Sequence, residues 1–287
     1  MTVLAIDIGG TKTLAALVEA GAVRAERRIA TDIADGPAAL VEAVGHLVAP
    51  WAGGYHAVGA SVTGLVQAGR WRALNTATLD LRETFPLAEA LAARLGAPAH
   101  CLNDAQAAAW GEFVAGAGRG VDMAFLTVST GIGGGLVLDG RLRGGLAGSF
   151  GQFVDADAVR LEDRAAGRWL AAEAAALGQP ADARAVFAAA GAPWAERLLD
   201  ASAGRVAALC RNIQLAVEPQ RIVIGGGIGL APGYLDRLRA ALAGLDPALA
   251  PRLVPAALGA LAGVVGASAI AESLQTETSE AHRETAS

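Results

Sequence analysis

Apolar runs and the polar breaks between them predict the order of elements. Val3-Leu4-Ala5-Ile6 is a continuous apolar run ending at Asp7, as a strand buried on both faces would be. Gly9-Gly10 turns the chain, Leu14–Val18 continues as a second strand and Val23–Ile29 as a third. Apolar residues at helical spacing mark a helix over Ala38–Val48, and Ala57–Val62 returns to strand. A helix over Leu87–Leu95 stops at Gly96 and Pro98, and His100–Leu102 is a short strand. Asn103 then caps a helix predicted from about Asp104 to Val114, since a short polar side chain there can accept the first free backbone N–H groups.

The second half repeats this grammar. Met123–Val128 reads as a strand, Ser129-Thr130-Gly131 as a turn and Gly135–Leu138 as a further strand. Helices are predicted over 161–177, 183–190 and 194–217. Arg221–Ile224 is a buried strand running into Gly225-Gly226-Gly227, and a helix follows Pro232. Two α/β lobes with a cleft between them account for a strand-turn-strand opening that occurs twice. The predicted boundaries are 1–117 and 118–257, with a helix at about 258–273 packing back on the first lobe and a polar, frayed tail at 276–287.

Leu253–Ala271 carries no charge and is long enough on paper to cross a membrane. It contains Pro255, Gly259, Gly263, Gly266 and seven Ala, so a helix buried between layers is the better reading. A net charge of −5 argues against nucleic acid as the main partner. Two Cys, Cys101 and Cys210, cannot make a disulfide framework, and residues 1–10 do not read as a signal peptide, so a cytoplasmic protein is expected. The chain has a single lysine, Lys12, against 22 arginines. None of the four His belongs to a motif.

That lysine lies in Asp7-Ile8-Gly9-Gly10-Thr11-Lys12-Thr13, a glycine turn followed by a strand rather than a helix. It is therefore neither a Walker A loop nor a dinucleotide-binding turn. Bare backbone N–H groups, the Thr11 and Thr13 hydroxyls and the Lys12 ammonium could cradle phosphate, and Asp7 could hold Mg²⁺ through water. An ordinary hairpin turn is the simpler alternative. Ser129–Gly135, containing Thr130, Gly131 and Gly133, is a second turn of the same type. Gly225-Gly226-Gly227 is a third, whose bare backbone could carry an adenine ring and ribose.

Three such turns in this order resemble the two phosphate loops and the adenosine loop of the actin-like ATPase and ribonuclease H-like sugar kinase fold. Within it the chain resembles the ROK family of bacterial sugar kinases, through LAIDIGGTKT at 4–13, NDAQAAAW at 103–110, TVSTGIGGG at 127–135 and GGLAG at 144–148. The resemblance implies ATP and Mg²⁺ bound in the cleft and phosphoryl transfer to the 6-hydroxyl of an N-acylhexosamine. N-acetylmannosamine leads, with glucose or another hexose as the alternative, or a sugar-binding protein with impaired catalysis. It makes Asp104 the catalytic base and places Asn103, Gly64, Asn75, Ser149, Gln152 and Glu162 around the sugar, in a homodimer without membrane or nucleic-acid partners. Helix capping remains the simpler reading of Asn103-Asp104, and a surface position that of Glu162.

The chain departs from the family after Gly148. It reads Ser149-Phe150-Gly151-Gln152 and continues to Glu162 without a Cys, where ROK kinases carry a His and a zinc loop with three Cys. A tetrahedral zinc site needs four N or S ligands, so no structural zinc is expected here.

Overall fold

The computed structural model describes residues 1–74, 81 and 83–285, with side chains described to residue 273. It divides into two compact units: Met1–Ala115 with Gly144–Leu146 and Ala260–Ser287, and Gly116–Arg143 with Ala147–Gly259.

In the first unit β1 (Thr2–Ile8), β2 (Lys12–Glu19) and β3 (Ala22–Ala30) are joined by tight turns and pair antiparallel. Helix α1 (Pro37–Val48) leads to β4 (Ala57–Val62). The short hairpin β5 (Leu65–Gln67) and β6 (Arg70–Arg72), not foreseen from the sequence, precedes α2 (Leu87–Leu95), β7 (Ala99–Asn103) and α3 (Asp104–Ala115). The sheet order is β3-β2-β1-β4-β7, with β4 parallel to both β1 and β7.

Alternation along β1 sorts its side chains between two layers. Leu4, Ile6 and Ile8 pack with Leu40, Val44, Leu87 and Leu91 of α1 and α2. Val3 and Ala5 face the other way and pack with Ala271 and Val264 of the C-terminal segment. Asp7 shares that second face by parity, at the carboxyl end of β1. Ser61 is its register partner on β4. This is the end of a parallel sheet where open α/β folds bind ligands.

The second unit repeats the topology. Strands β8 (Met123–Val128), β9 (Ile132–Leu138) and β10 (Arg141–Leu142) form the antiparallel part, and β11 (Arg221–Gly225) and β12 (Leu253–Pro255) the parallel part. The order is β10-β9-β8-β11-β12. Helices α4 (Glu162–Ala165), α5 (Gly167–Ala176), α6 (Ala183–Ala188), α7 (Pro193–Val217), α8 (Gly226–Gly229) and α9 (Tyr234–Ala241) complete it.

Two expectations change. The helix predicted over 161–177 is broken at Ala166, whose ψ of 175° is extended. The next amide, Gly167 N–H, donates to the Ser129 carbonyl at 2.7 Å, and this contact with the second glycine turn outweighs local helix continuity. The uncharged segment after Arg252 does not become helical at once. Leu253–Pro255 is a strand on β11, and α10 (Ala262–Thr285) begins only after a 3₁₀ turn at Gly259–Leu261.

The Gly and Ala content of α10 reflects close packing. A Cβ at Gly266 would strike the Ala107 carbonyl oxygen of α3, and one at Gly59 of β4 would strike the Ala267 carbonyl. Among the described residues no helix is long and apolar enough to cross a membrane.

Candidate active site

The first unit brings together two carboxylates, each beside a hydroxyl from the end of β4. Asp7 Oδ1 accepts a hydrogen bond from Ser61 Oγ at 2.7 Å. Asp104 Oδ2 accepts one from Thr63 Oγ1 at 3.0 Å, and its Oδ1 accepts the Ala105 N–H at 2.8 Å. Burial raises the Asp7 carboxyl above its usual range, while the Ser61 hydroxyl and the nearby Lys12 charge oppose the shift. Burial also raises Asp104, against the hydrogen bonds from Thr63, Ala105 and Asn103, and the like charge of Asp7 raises it further.

Asn103 caps α3. Its Oδ1 accepts the N–H groups of Ala105 and Gln106 at 3.0 and 3.2 Å. Its Nδ2 donates to the Gly64 carbonyl at 2.7 Å. The capping chemistry anticipated for Asn103 is therefore present, and an amide nitrogen has a second hydrogen for another acceptor. Gly64 sits at φ +118°, and a Cβ there would come within 2.5 Å of the Arg72 carbonyl oxygen. Asn75 lies outside the described residues.

The first glycine turn is closed by Gly9 N–H donating to the Lys12 carbonyl at 3.1 Å. Gly10 is half-buried, and Thr11 and Lys12 are exposed, open to a ligand. Thr13 is fully buried and its hydroxyl pairs with that of Thr31 at 2.8 Å, so it faces the sheet.

In the second unit Thr130 is exposed on the next glycine turn, with Gly131 and Gly133 half-buried beside it. A Cβ on Gly131 would lie 3.2 Å from Glu162 Oε2. The third turn divides its glycines by role. Gly225 abuts the Phe125 ring, and Gly226, at φ +84°, leaves no room for a Cβ beside the Val128 carbonyl. Gly227 alone of the three is exposed, with open space where a side chain would be.

Gln152 and Glu162, predicted to share a ligand, are in contact: Gln152 Nε2 donates to Glu162 Oε1 at 3.0 Å. Ser149 is half-buried and opens the 3₁₀ turn Phe150–Gln152. Glu162 itself is only 8% exposed, which argues against a plain surface glutamate. Two arginines flank it. Arg160 Nη1 lies 3.3 Å from Oε1 and Arg168 Nη2 lies 2.8 Å from Oε2, the latter off the line of a hydrogen bond. Arg160 also grips Asp163 at 2.6 Å.

The segment 153–161 folds back on itself, with Leu161 N–H donating to the Phe153 carbonyl at 2.7 Å and Asp155 N–H to the Val159 carbonyl at 3.0 Å. Arg164 binds Asp155 at 2.8 Å and Asp157 at 3.0 Å across it. Among the described residues no group of three or more His, Cys, Asp or Glu is placed to hold a metal ion. Cys101 is half-buried and Cys210 buried, and desolvation pushes both thiols up to about 12.

Sequence reasoning gave no role of their own to Ser61, Thr63, Arg160 and Arg168. The alternate hydroxyls of Ser61-Val62-Thr63-Gly64 and the four-residue spacing of Arg160, Arg164 and Arg168 were the available signals.

The ROK family matches residues 3–273 of the chain. A relative from Brucella melitensis, "Bifunctional enzyme NanE/NanK", is 48% identical over 277 residues, 94% of this chain, which spans about half (54%) of that protein's length. The "N-acetylmannosamine kinase" of Shigella flexneri is 39% identical over 95% of this chain and 99% of its own. A solved ROK family glucokinase from Streptomyces griseus, in complex with glucose and AMPPNP, superposes with a TM-score of 0.79 at 28% identity, covering 95% of this chain and 100% of that one. The chain belongs to the ROK family and has the actin-like α/β fold of its sugar kinases.

Proposed function

We propose that the protein transfers the terminal phosphoryl group of ATP to the 6-hydroxyl of an N-acylhexosamine, with N-acetylmannosamine as the first candidate. The observation that carries the reading is Asp104, a carboxylate at the start of α3 with both oxygens held by neutral donors and its proton affinity raised. In this role Asp104 takes the hydroxyl proton as the new O–P bond forms. The bond to the leaving phosphate breaks, its electron pair leaves with ADP, and the proton remains on Asp104.

The Thr11 and Lys12 side chains and the backbone of both glycine turns would hold the phosphates, and exposed Gly227 would take the adenosine end. Two neighbouring carboxylates, with Lys12 near Asp7, fit a hard divalent ion, which Asp7 would hold through water. Bound Mg²⁺ would supply neutralisation of phosphate charge. Asn103, the Gly64 region, Ser149, Gln152 and Glu162 are assigned to the sugar, with Arg160 and Arg168 paired to the Glu162 carboxylate. The reading includes a homodimer in the cytoplasm, on family resemblance, and a segment 153–161 held by ion pairs in place of zinc.

The test is ADP release under saturating Mg-ATP across N-acetylmannosamine, N-acetylglucosamine, mannose and glucose. N-acetylmannosamine should give the highest kcat/KM. A larger value with glucose would reassign the substrate. The engagement of Gln152 by Glu162 favours one other reading, a protein that binds sugar without turning it over, which calorimetric sugar binding with no ADP release from any sugar would establish.

A further inference from the structure

We propose that Thr63 is a positioning residue for Asp104, its hydroxyl fixing the carboxylate in the plane from which it takes the substrate proton. The inference rests on reading Asp104 as the base. An aspartate's terminal torsion is broad when nothing holds it. Here the Ala105 N–H fixes Oδ1 at 2.8 Å and Thr63 Oγ1 fixes Oδ2 at 3.0 Å, so both ends of the carboxylate are tied. The carboxylate keeps a further lone pair for the incoming proton.

Thr63 is suited to this because its own backbone is held on every side. Its N–H donates to the Ile8 carbonyl at 3.2 Å, at the end of β1. Its carbonyl accepts the indole N–H of Trp71 at 2.9 Å. The carbonyl of the next residue, Gly64, accepts from Asn103 at 2.7 Å, beside Asp104 itself. Trp71 is fully buried, and its backbone exchanges two 2.8 Å hydrogen bonds with Phe85. The hydroxyl thus hangs from a turn tied to β1, to the β5–β6 hairpin and to the start of α3, on a β-branched side chain with restricted χ1.

The choice of donor also matters. A lysine or arginine at this place would hold the carboxylate more strongly but would depress its proton affinity. A hydroxyl orients the group at a smaller cost in basicity. Ser61 stands two residues earlier on β4 and makes the equivalent contact to Asp7, so the strand end presents one neutral donor to each carboxylate.

Thr63→Val keeps the shape and removes the donor; Thr63→Ser restores it. Thr63→Val should lower kcat with the preferred sugar by about 10- to 100-fold, the scale of a small misplacement of a catalytic group. KM for sugar and affinity for a nonhydrolysable ATP analogue should stay within about threefold, and Thr63→Ser should recover most of kcat. In an Asp104→Asn background Thr63→Val should cost no further rate, because the group it positions is gone. Unchanged kcat in Thr63→Val, a loss confined to KM, no rescue by Ser in a variant with wild-type thermal melting, or an equal loss in the Asp104→Asn background would each overturn the proposal. Full activity in Asp104→Asn alone would instead overturn the base assignment, so the two failures are distinguishable.

Discussion

Asp104 and Glu162 are two enclosed carboxylates in two units, and they are held in opposite ways. Asp104 receives a hydroxyl, a backbone N–H and a helix start, all neutral, with another carboxylate nearby. Glu162 receives an amide and two guanidinium groups. The difference matches the role proposed for each. A base has to gain a proton during the reaction, and a cation in contact would oppose that. A carboxylate that only accepts hydrogen bonds from sugar hydroxyls has no proton to gain, and arginines beside it balance its charge. Charge around a carboxylate therefore separates the proton acceptor from the binder.

The comparison breaks most easily at Asp104. Asp104→Asn keeps the size and the Thr63 and Ala105 contacts can largely remain, but the amide cannot take a proton. We expect kcat to fall by about 10³-fold, within the usual range for losing a general base, with ATP-analogue affinity within a few-fold of wild type. Single-turnover phosphate transfer measures this directly. A loss seen only in sugar KM would make Asp104 a binder like Glu162 and remove the contrast.

Glu162→Gln should act on the other parameter. The loss of one charged acceptor weakens sugar binding by about 10-fold, or about 1.4 kcal/mol, and appears mainly as raised KM. A fall in kcat with unchanged KM would show that Glu162 acts on the transition state and would merge the two roles. Initial-rate kinetics at saturating ATP decide between the outcomes.

How far this contrast could be read in advance depended on the range of the contacts. Local chemistry exposed the β1 strand ending in Asp7, the glycine turns and the Asn103 cap, because each is written in a few consecutive residues. The contacts of Ser61 and Thr63 were not legible because they meet their carboxylates only through the parallel register of β4 with β1 and β7, 54 and 41 residues away in sequence. The four-residue spacing of the arginines around Glu162 is shared by solvated surface charge, and only the folded chain sets Arg160 and Arg168 beside it. The break at Ala166 was hidden for the same reason, since its cause is the distant Ser129 carbonyl. The β5–β6 hairpin, which supplies Trp71, is too short for periodicity to show it.

The smallest expected effect is on stability, and there the two carboxylates should differ in sign. The folded-state pKa of Asp104 is raised by burial, so holding it ionised destabilises the fold at pH above that value, and the penalty fades as pH falls through it. Replacing it by neutral Asn removes the penalty. Asp104→Asn should therefore melt about 1–2 °C higher than wild type at pH 7.5, with the gain shrinking as the pH is lowered. Glu162→Gln should melt lower, because Arg160 and Arg168 lose their counter-charge, although their partial exposure limits the loss to about 1 kcal/mol. Scanning calorimetry of both variants at two pH values measures the pair. If Asp104→Asn melted lower and Glu162→Gln higher, the neutral shell around Asp104 would be a stabilising network rather than a setting for a base. If both fell together, charge type would have no bearing on the division between the two units.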